Sequence, residues 1–201
     1  MKFLALIFIS LLLFSCNRKE NNKDKITFTG TLVIQPFTGV SQGMLDTIMF
    51  QLANAYPSVT LMRAIPLPGT AYGKEQLCYM ADSLMSYLLK LRKSDKDIII
   101  GITNEDIYTA RGGDKDWGIM GLAYMPGYSC IISTFRLSKT NLHSQFYKLT
   151  VHELAHTLGL PHCRRSRKCY MSNANGENPW DKETGFCSRC KSYLKNRGFK
   201  F

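Results

Sequence analysis

Apolar and β-branched positions alternate loosely over residues 26–35, the two-residue period of a strand with one face buried. The period changes over residues 44–56, where Leu45, Ile48, Met49 and Leu52 recur at three- and four-residue spacing. That spacing predicts a helix, entered from a turn at 39–42 and ended by Pro57. Residues 59–65 read as a second strand, closed by Pro66 and Pro68. Leu77, Ala81, Leu84, Leu88 and Leu91 set an apolar stripe along a longer helix over 74–92. Within 97–103, Ile98-Ile99-Ile100 is a continuous apolar run suited to a strand covered on both faces. Strand, helix, strand, helix, strand implies crossover units and a mainly parallel sheet.

The pattern then turns antiparallel. Arg111-Gly112-Gly113-Asp114 reads as a loop and not as a phosphate cradle, because no helix start follows it. Two strand-like runs, 117–124 and 129–137, meet at Pro126-Gly127 and predict a hairpin, with 117–125 at the sheet edge. An edge strand beside a cleft can accept an extended peptide as one more strand. Over 141–158, Leu142, Phe146 and Leu149 lie on one side of a helix, and Val151, Leu154 and Leu158 widen its apolar surface, so the helix is largely buried. The expected class is α/β with α+β features: one domain, a mixed twisted sheet, an antiparallel edge strand and a central helix.

The chain has 201 residues, 45% hydrophobic and 20% charged, enough for one domain with a sizeable core. Its start reads differently. Lys2 precedes an apolar run over 3–14, too short to span a bilayer as a helix. Leu13-Phe14-Ser15-Cys16 resembles a bacterial lipoprotein lipobox, which implies cleavage before Cys16 and a lipid on its thiol. The alternative is an ordinary secretory signal with an incidental cysteine; either implies export. Residues 1–15 are then signal, 16–25 a polar tether and 26–201 the domain, divided into 26–159 and 160–201. Lys2 is the only charge before Cys16, so the net charge of +11 becomes +10 after cleavage. That charge suits acidic substrates or an anionic membrane surface, and export makes nucleic acid the least natural partner. The expectation is a monomer anchored to the cell envelope through lipid on Cys16.

Chemistry concentrates in 152–162, which holds three of the four histidines. His152 and His156 are four apart, on one face of a helix, where two imidazoles can share a zinc ion. Glu153 lies beside that face and can take a proton from a zinc-bound water. Gly159 permits a sharp helix stop, Pro161 discourages continuation, and the chain can swing back to present His162. Three protein ligands leave a fourth position open, as catalytic zinc requires. The short motif alone arises by chance in roughly one chain in a few hundred of this length. The added glycine and third histidine make chance a poor account. His143, two turns upstream, reads as a surface histidine, and Glu177 or Glu183 is a rival third ligand. Tyr124 and Tyr170 are candidate oxyanion donors.

A second constellation follows. Cys187-Ser188-Arg189-Cys190 is a tight knuckle, and Cys163 and Cys169 form a looser pair. Four thiolates at tetrahedral geometry make a closed structural zinc site; two disulfides are the alternative in an oxidising compartment. Residues 171–186 are rich in Asn, Gly, Pro and charge and cannot bury much core, so a crosslink there supplies order. Arg164, Arg165, Arg167 and Lys168 can offset the negative charge of a tetrathiolate. Cys78, on the expected second helix, and Cys130, on a strand, are buried thiols or a disulfide.

These residues resemble the metzincin clan of zinc peptidases, and Cys163, then Cys169-Tyr170-Met171 and the Cys187/Cys190 pair, resemble its archaemetzincin branch. The likeness is strongest over 149–191 and extends to Gly121-Leu122-Ala123 and to 133–137, which look like the family's edge hairpin. It implies a metzincin-like domain in which the three histidines hold catalytic zinc, Glu153 is the general base and four cysteines hold a second zinc. It also implies that Met171, otherwise a core residue by its pattern, is a turn methionine beneath the metal, and that Gly121, Leu122, Ala123 and Tyr124 line the substrate. The cysteine spacing is slightly longer between the first pair and slightly shorter before the third, and the lipoprotein-like start departs from the usual member. The expected function is a zinc-dependent metallopeptidase with two zinc ions, an endopeptidase or an aminopeptidase. Its rivals are a non-catalytic zinc-stabilised lipoprotein that captures peptides and a zinc-sequestering envelope protein.

Overall fold

The computed structural model of the chain describes residues 27–111, 114–174 and 177–201. The signal segment, Cys16, the tether, Gly112 and Gly113 lie outside the described residues.

The centre is the strand β5 (Ile98–Thr103), all six of whose residues are buried. β1 (Leu32–Pro36) and β9 (Ser129–Ser133) flank it in parallel, and β2 (Val59–Leu61) continues the parallel order beyond β1. β8 (Gly121–Ala123) pairs antiparallel with β9 and forms the far edge. The triple-isoleucine run is explained by two covered faces. Ile98, Ile100 and Ile102 pack with α1 (Gln42–Ala55) and α3 (Leu142–Thr157), while Ile99 packs with α2 (Ala81–Leu91) on the other side. β9 follows the same alternation, with Cys130 and Ile132 toward α3 and Ile131 toward α2.

Several sequence expectations are corrected. Residues 74–80 are not helical. A 3-10 turn (Gly69–Ala71), β3 (Tyr72–Gly73) and β4 (Cys78–Met80) precede α2, and Leu77 is 75% exposed with φ of 54°. The apolar stripe begins at Ala81, because β4 pairs parallel with β6 (Ile107–Arg111), and that ladder outcompetes two further helical turns. Cys78 therefore sits on a strand, and both it and Cys130 are buried thiols outside any disulfide. The run 117–125 is not one edge strand. β7 (Asp114–Ile119) pairs antiparallel with β6 in a second sheet of order β3-β4-β6-β7, and the chain bends at Met120 into β8. At Met120 the backbone changes partner: its carbonyl accepts the Ser133 N–H. β9 stops at Ser133, not at Leu137, where the Ser133 hydroxyl donates to the Glu105 carbonyl and accepts the Phe135 N–H.

α3 ends as its sequence requires. Gly159 has φ of 85°, its N–H donates to the His156 carbonyl at 2.8 Å, and the Leu160 N–H donates to the Ala155 carbonyl at 3.0 Å. This is the paired bond pattern of a glycine-terminated helix, and it turns the chain back along α3. The segment 171–186 buries more than its composition suggests: Met171 is fully buried and Trp180 is 3% exposed. A helix absent from the sequence reading, α4 (Ser188–Lys195), opens at Cys187. Its Leu194, with Phe199, joins the α1–α3 core, where Phe199 stacks on Tyr56 at 4.7 Å between ring centroids. Among the described residues no helix is long and apolar enough to cross a membrane.

Candidate metal centre

α3 carries His152, Glu153 and His156 on a stretch that is buried throughout. The helix stop returns His162 to the same point. His156 Nε2 lies 3.0 Å from His152 Nε2 and 3.2 Å from His162 Nε2. The other ring nitrogens face backbone carbonyls: His152 Nδ1 meets that of Tyr170, and His156 Nδ1 meets that of Leu160 at 2.8 Å. A carbonyl only accepts, so each Nδ1 carries the proton and each Nε2 presents a lone pair. Two lone pairs at 3.0 Å repel unless a cation lies between them. Tetrahedral zinc with N ligands at 2.0–2.1 Å sets neighbouring nitrogens about 3.3 Å apart, so the donor set fits. Burial, then the nearby His156 and His162, pushes His152 down to about 3; burial, then His162, pushes His156 down to about 4. Both rings are therefore neutral at pH 7, the form that ligates a metal.

Glu153 is 6% exposed, and burial pushes its carboxyl up to about 8. The backbone of β8 rests on it: a Cβ on Gly121 would stand 2.8 Å from Glu153 Cγ and Oε1. Only glycine lets the sheet edge come this close. Glu153, the three histidines, Gly121, Leu122 and Ala123 line one cavity of about 650 Å³.

The four cysteines also converge. Cys163, Cys169, Cys187 and Cys190 present sulfurs within 4.8 Å of one another, with Cys163 and Cys187 at 3.7 Å. Thiolates around tetrahedral zinc at 2.3 Å are about 3.8 Å apart. None of the four is in a disulfide. Burial acts to raise the Cys187 thiol, but the Cys190 N–H and the thiols of Cys190, Cys163 and Cys169 outweigh it and bring it to about 7. The Cys163 N–H donates to the Met171 carbonyl, which ties the residue after His162 to the turn that holds His152.

Residues 40–196 match the family model described as Peptidase family M54. The chain belongs to this family. The archaemetzincin of Haloquadratum walsbyi is 31% identical over 149 residues, 68% of this chain and 82% of its own length. That of Methanopyrus kandleri is 34% identical over 133 residues, 64% and 73% respectively. The crystal structure of the M. kandleri archaemetzincin superposes with a TM-score of 0.68 at 27% identity, covering 83% of this chain and 94% of that one. The Archaeoglobus fulgidus archaemetzincin, solved with malonate, gives 0.68 at 26% identity, covering 81% and 99%. This M54 chain is an archaemetzincin-like zinc metallopeptidase with the mixed α/β fold of those structures.

Not every candidate reaches the M54 centre. The Tyr124 hydroxyl meets Ser86 of α2, and its ring packs in the α2 core. The Tyr170 ring packs on Tyr147 and Phe186, so only its carbonyl serves the histidines. Neither tyrosine hydroxyl is placed as an oxyanion donor. His143 is exposed on the surface. Glu177 lines the cavity, and neither it nor Glu183 joins the histidine cluster. Sequence reasoning missed Trp180, whose ring meets His152 edge-on at 5.4 Å and whose indole N–H donates to Met120 Sδ. A single tryptophan in an otherwise polar stretch was its one available signal. Gln145 and Lys148 of α3 hold that stretch, through Asp181 and Asn178 and through the carbonyls of Trp180 and Glu183.

Glu183 is 1% exposed, and both its carboxyl oxygens are buried without a hydrogen-bond partner among the described residues. Burial raises it to about 7 from 4.5, with Lys148 pulling the other way. Between those values the folded chain holds more protons than the unfolded one, so this group's contribution to stability falls as pH rises through that window. Glu183→Gln is expected to remove the loss. Urea unfolding should find the variant more stable than the parent by about 2 kcal/mol at pH 8, with the gap closing below pH 5.

Proposed function

We propose that His152, His156 and His162 hold the catalytic zinc ion and that Glu153 is the general base for peptide-bond hydrolysis. The observation that carries this reading is the convergence of three imidazole lone pairs beside a buried carboxyl under the sheet edge. Zinc in that position supplies Lewis acidity, polarising a peptide carbonyl and making water acidic enough to lose a proton near neutral pH. The chain's own residues do the rest. An extended peptide added to the outer edge of β8 runs past Glu153, because Gly121 leaves no side chain between them. Glu153, whose carboxyl a cation on the adjacent histidines would hold in its ionised form, takes the proton from the attacking water and returns it to the leaving amine. Leu122, Met120 and Trp180 give the cavity apolar walls beside the carboxyl and the histidines. Met171, buried after the carbonyl that orients His152, is the turn methionine of this reading.

Cys163, Cys169, Cys187 and Cys190 would hold a second, structural zinc. Export and a lipid on Cys16 complete the reading, with a monomer facing its substrates at a membrane surface.

Glu153→Gln is expected to keep the histidine-bound zinc, counted by native mass spectrometry, while kcat/KM on a peptide mixture falls by roughly two to four orders of magnitude. Equal turnover by the variant, or zinc without any turnover in the parent, defeats the proposal. The same metal count should find two zinc ions per chain; one ion with no titratable thiols would instead mean disulfides. A Cys187→Ser, Cys190→Ser variant should lose the second ion and bind the first about 10- to 100-fold more weakly, since Cys163 adjoins His162. Cell fractionation should find the full chain with membranes and Cys16→Ala released; a Cys16→Ala protein that stays bound argues against lipidation.

A further inference from the structure

The cavity above α3 has a wall that the hydrolytic reading does not use. β7 leads into β8 through Met120, and Trp117, Gly118 and Ile119 line the cavity together with Arg136 from the turn after β9. Among the charged side chains described on that wall, Arg136 is the cation; the others are Glu153 and Glu177.

Arg136 is held in place. Its Nε and Nη2 donate to Asp106 Oδ1 and Oδ2, both at 2.7 Å. Asp106 Oδ1 also accepts the Ile107 N–H, which fixes the carboxylate at the start of β6. A Cβ on Gly118 would lie 2.2 Å from Arg136 Nη2, so the guanidinium rests directly on the β7 backbone. The side chain is nonetheless 43% exposed, while Asp106 is 20% exposed. A guanidinium has five N–H donors, and Asp106 engages two of them. Among the described residues Asp106 is the guanidinium's hydrogen-bond partner, and Arg136 lines the cavity. A pre-oriented guanidinium with spare donors is suited to a carboxylate, which it can meet through two parallel bonds.

The backbone gives the spacing. Arg136 sits at Gly118 and Glu153 at Gly121. Three residues of extended chain span at most about 10 Å at roughly 3.3 Å each. A peptide that pairs with β8 and continues past the bend at Met120 over the end of β7 therefore brings its second or third residue from the attacked bond within reach of the guanidinium. Direction follows from pairing. Antiparallel ladders are slightly the more stable per residue, and an added strand antiparallel to β8 has its C-terminal residues toward Gly118. The charge on Arg136 is partly offset by Asp106, so the effect is one of selectivity and not of obligate binding.

We propose that Arg136 is a specificity-determining residue that selects peptides carrying Asp or Glu two or three residues beyond the scissile bond on its C-terminal side. This rests on the peptidase reading above, and the test separates the two. A peptide set with a single Glu or Gln stepped through each position is given to the zinc-loaded full chain. The Glu-to-Gln ratio of kcat/KM is expected to be about fivefold at that one position. It should fall to near one in Arg136→Gln, persist in part in Arg136→Lys, and drop below one in Arg136→Glu. A merely structural Arg136 would change all peptides in proportion and leave the ratio alone.

The proposal is overturned if no position prefers Glu, if the preference lies on the N-terminal side, or if it survives unchanged in Arg136→Gln. It is also overturned if Glu is favoured equally everywhere and the effect vanishes with salt, since the net charge of +11 alone would do that. The same peptides are titrated by fluorescence anisotropy against zinc-loaded Glu153→Gln protein. If the parent cuts nothing, the peptidase reading fails, and the affinity ratio still decides the role of Arg136: a fivefold preference lost in Glu153→Gln, Arg136→Gln supports it, and equal affinities reject it.

Discussion

The structure depends on two imidazoles whose lone pairs are forced to face each other. His152 and His156 cannot turn away, because the carbonyls of Tyr170 and Leu160 occupy their other nitrogens. Neither carbonyl belongs to α3. Leu160 comes from the reversal that Gly159 permits, and Tyr170 comes from the turn before the fully buried Met171. A motif that looks local in the sequence is thus oriented by the chain that follows it. Two lone pairs facing each other suit a shared cation, and because both orienting carbonyls come from the chain after α3, a cation held there would couple to the folding of the C-terminal part.

Around this point the rest of the fold acts as a mould. α3 is enclosed by the sheet on one side and by the 171–186 segment on another, so its polar residues are buried with its apolar ones. Such a helix would be costly without partners for each polar group. They are supplied in kind: the Thr150 and Thr157 hydroxyls donate back to helix carbonyls, Gln145 holds Asp181 and Asn178, and Lys148 holds two carbonyls of the segment beside it. These contacts let a stretch with little apolar content pack Trp180 against His152. The order of 171–186 therefore does not require the crosslink expected from its composition alone: these polar contacts contribute to it directly.

What could be read in the sequence was what short-range periodicity carries. The β5 run, the α1 stripe, the α3 stripe, the Gly159 stop and the histidine spacing are each set within a few residues, and the structure has them where the pattern puts them. The failures share one cause. Residues 74–80 have helical spacing, but β4 is captured by β6, a partner that lies beyond α2 and β5 in the chain. The run 117–125 has strand spacing, but its two halves are claimed by different sheets. Trp180 and Arg136 contact the site from 28 and 16 residues' distance along the chain from His152, and no local pattern announces that meeting. The convergence of the cysteines was legible because a knuckle spacing is itself a local signal; the helix that the knuckle opens was not.

Cys163 joins the two clusters by a single peptide bond to His162, and its N–H is held by the Met171 carbonyl. His162 is the exposed member of the histidine set, without the buried helix that fixes the other two. Its position must come from its neighbours on either side. On one side is the two-residue reversal after Gly159; on the other is a sulfur cluster that also anchors the first turn of α4 through Cys187 and Cys190. α4 in turn reaches the main core through Leu194, and its Tyr193 hydroxyl donates to the Leu158 carbonyl at the end of α3. The path from core to α4 to cysteines to His162 and back to α3 is closed. A closed loop of this kind resists distortion more than either arm alone. It gives the sulfur cluster a place in the fold at a distance from any chemistry: it links the residue after the third histidine to α4 and through α4 to the main core.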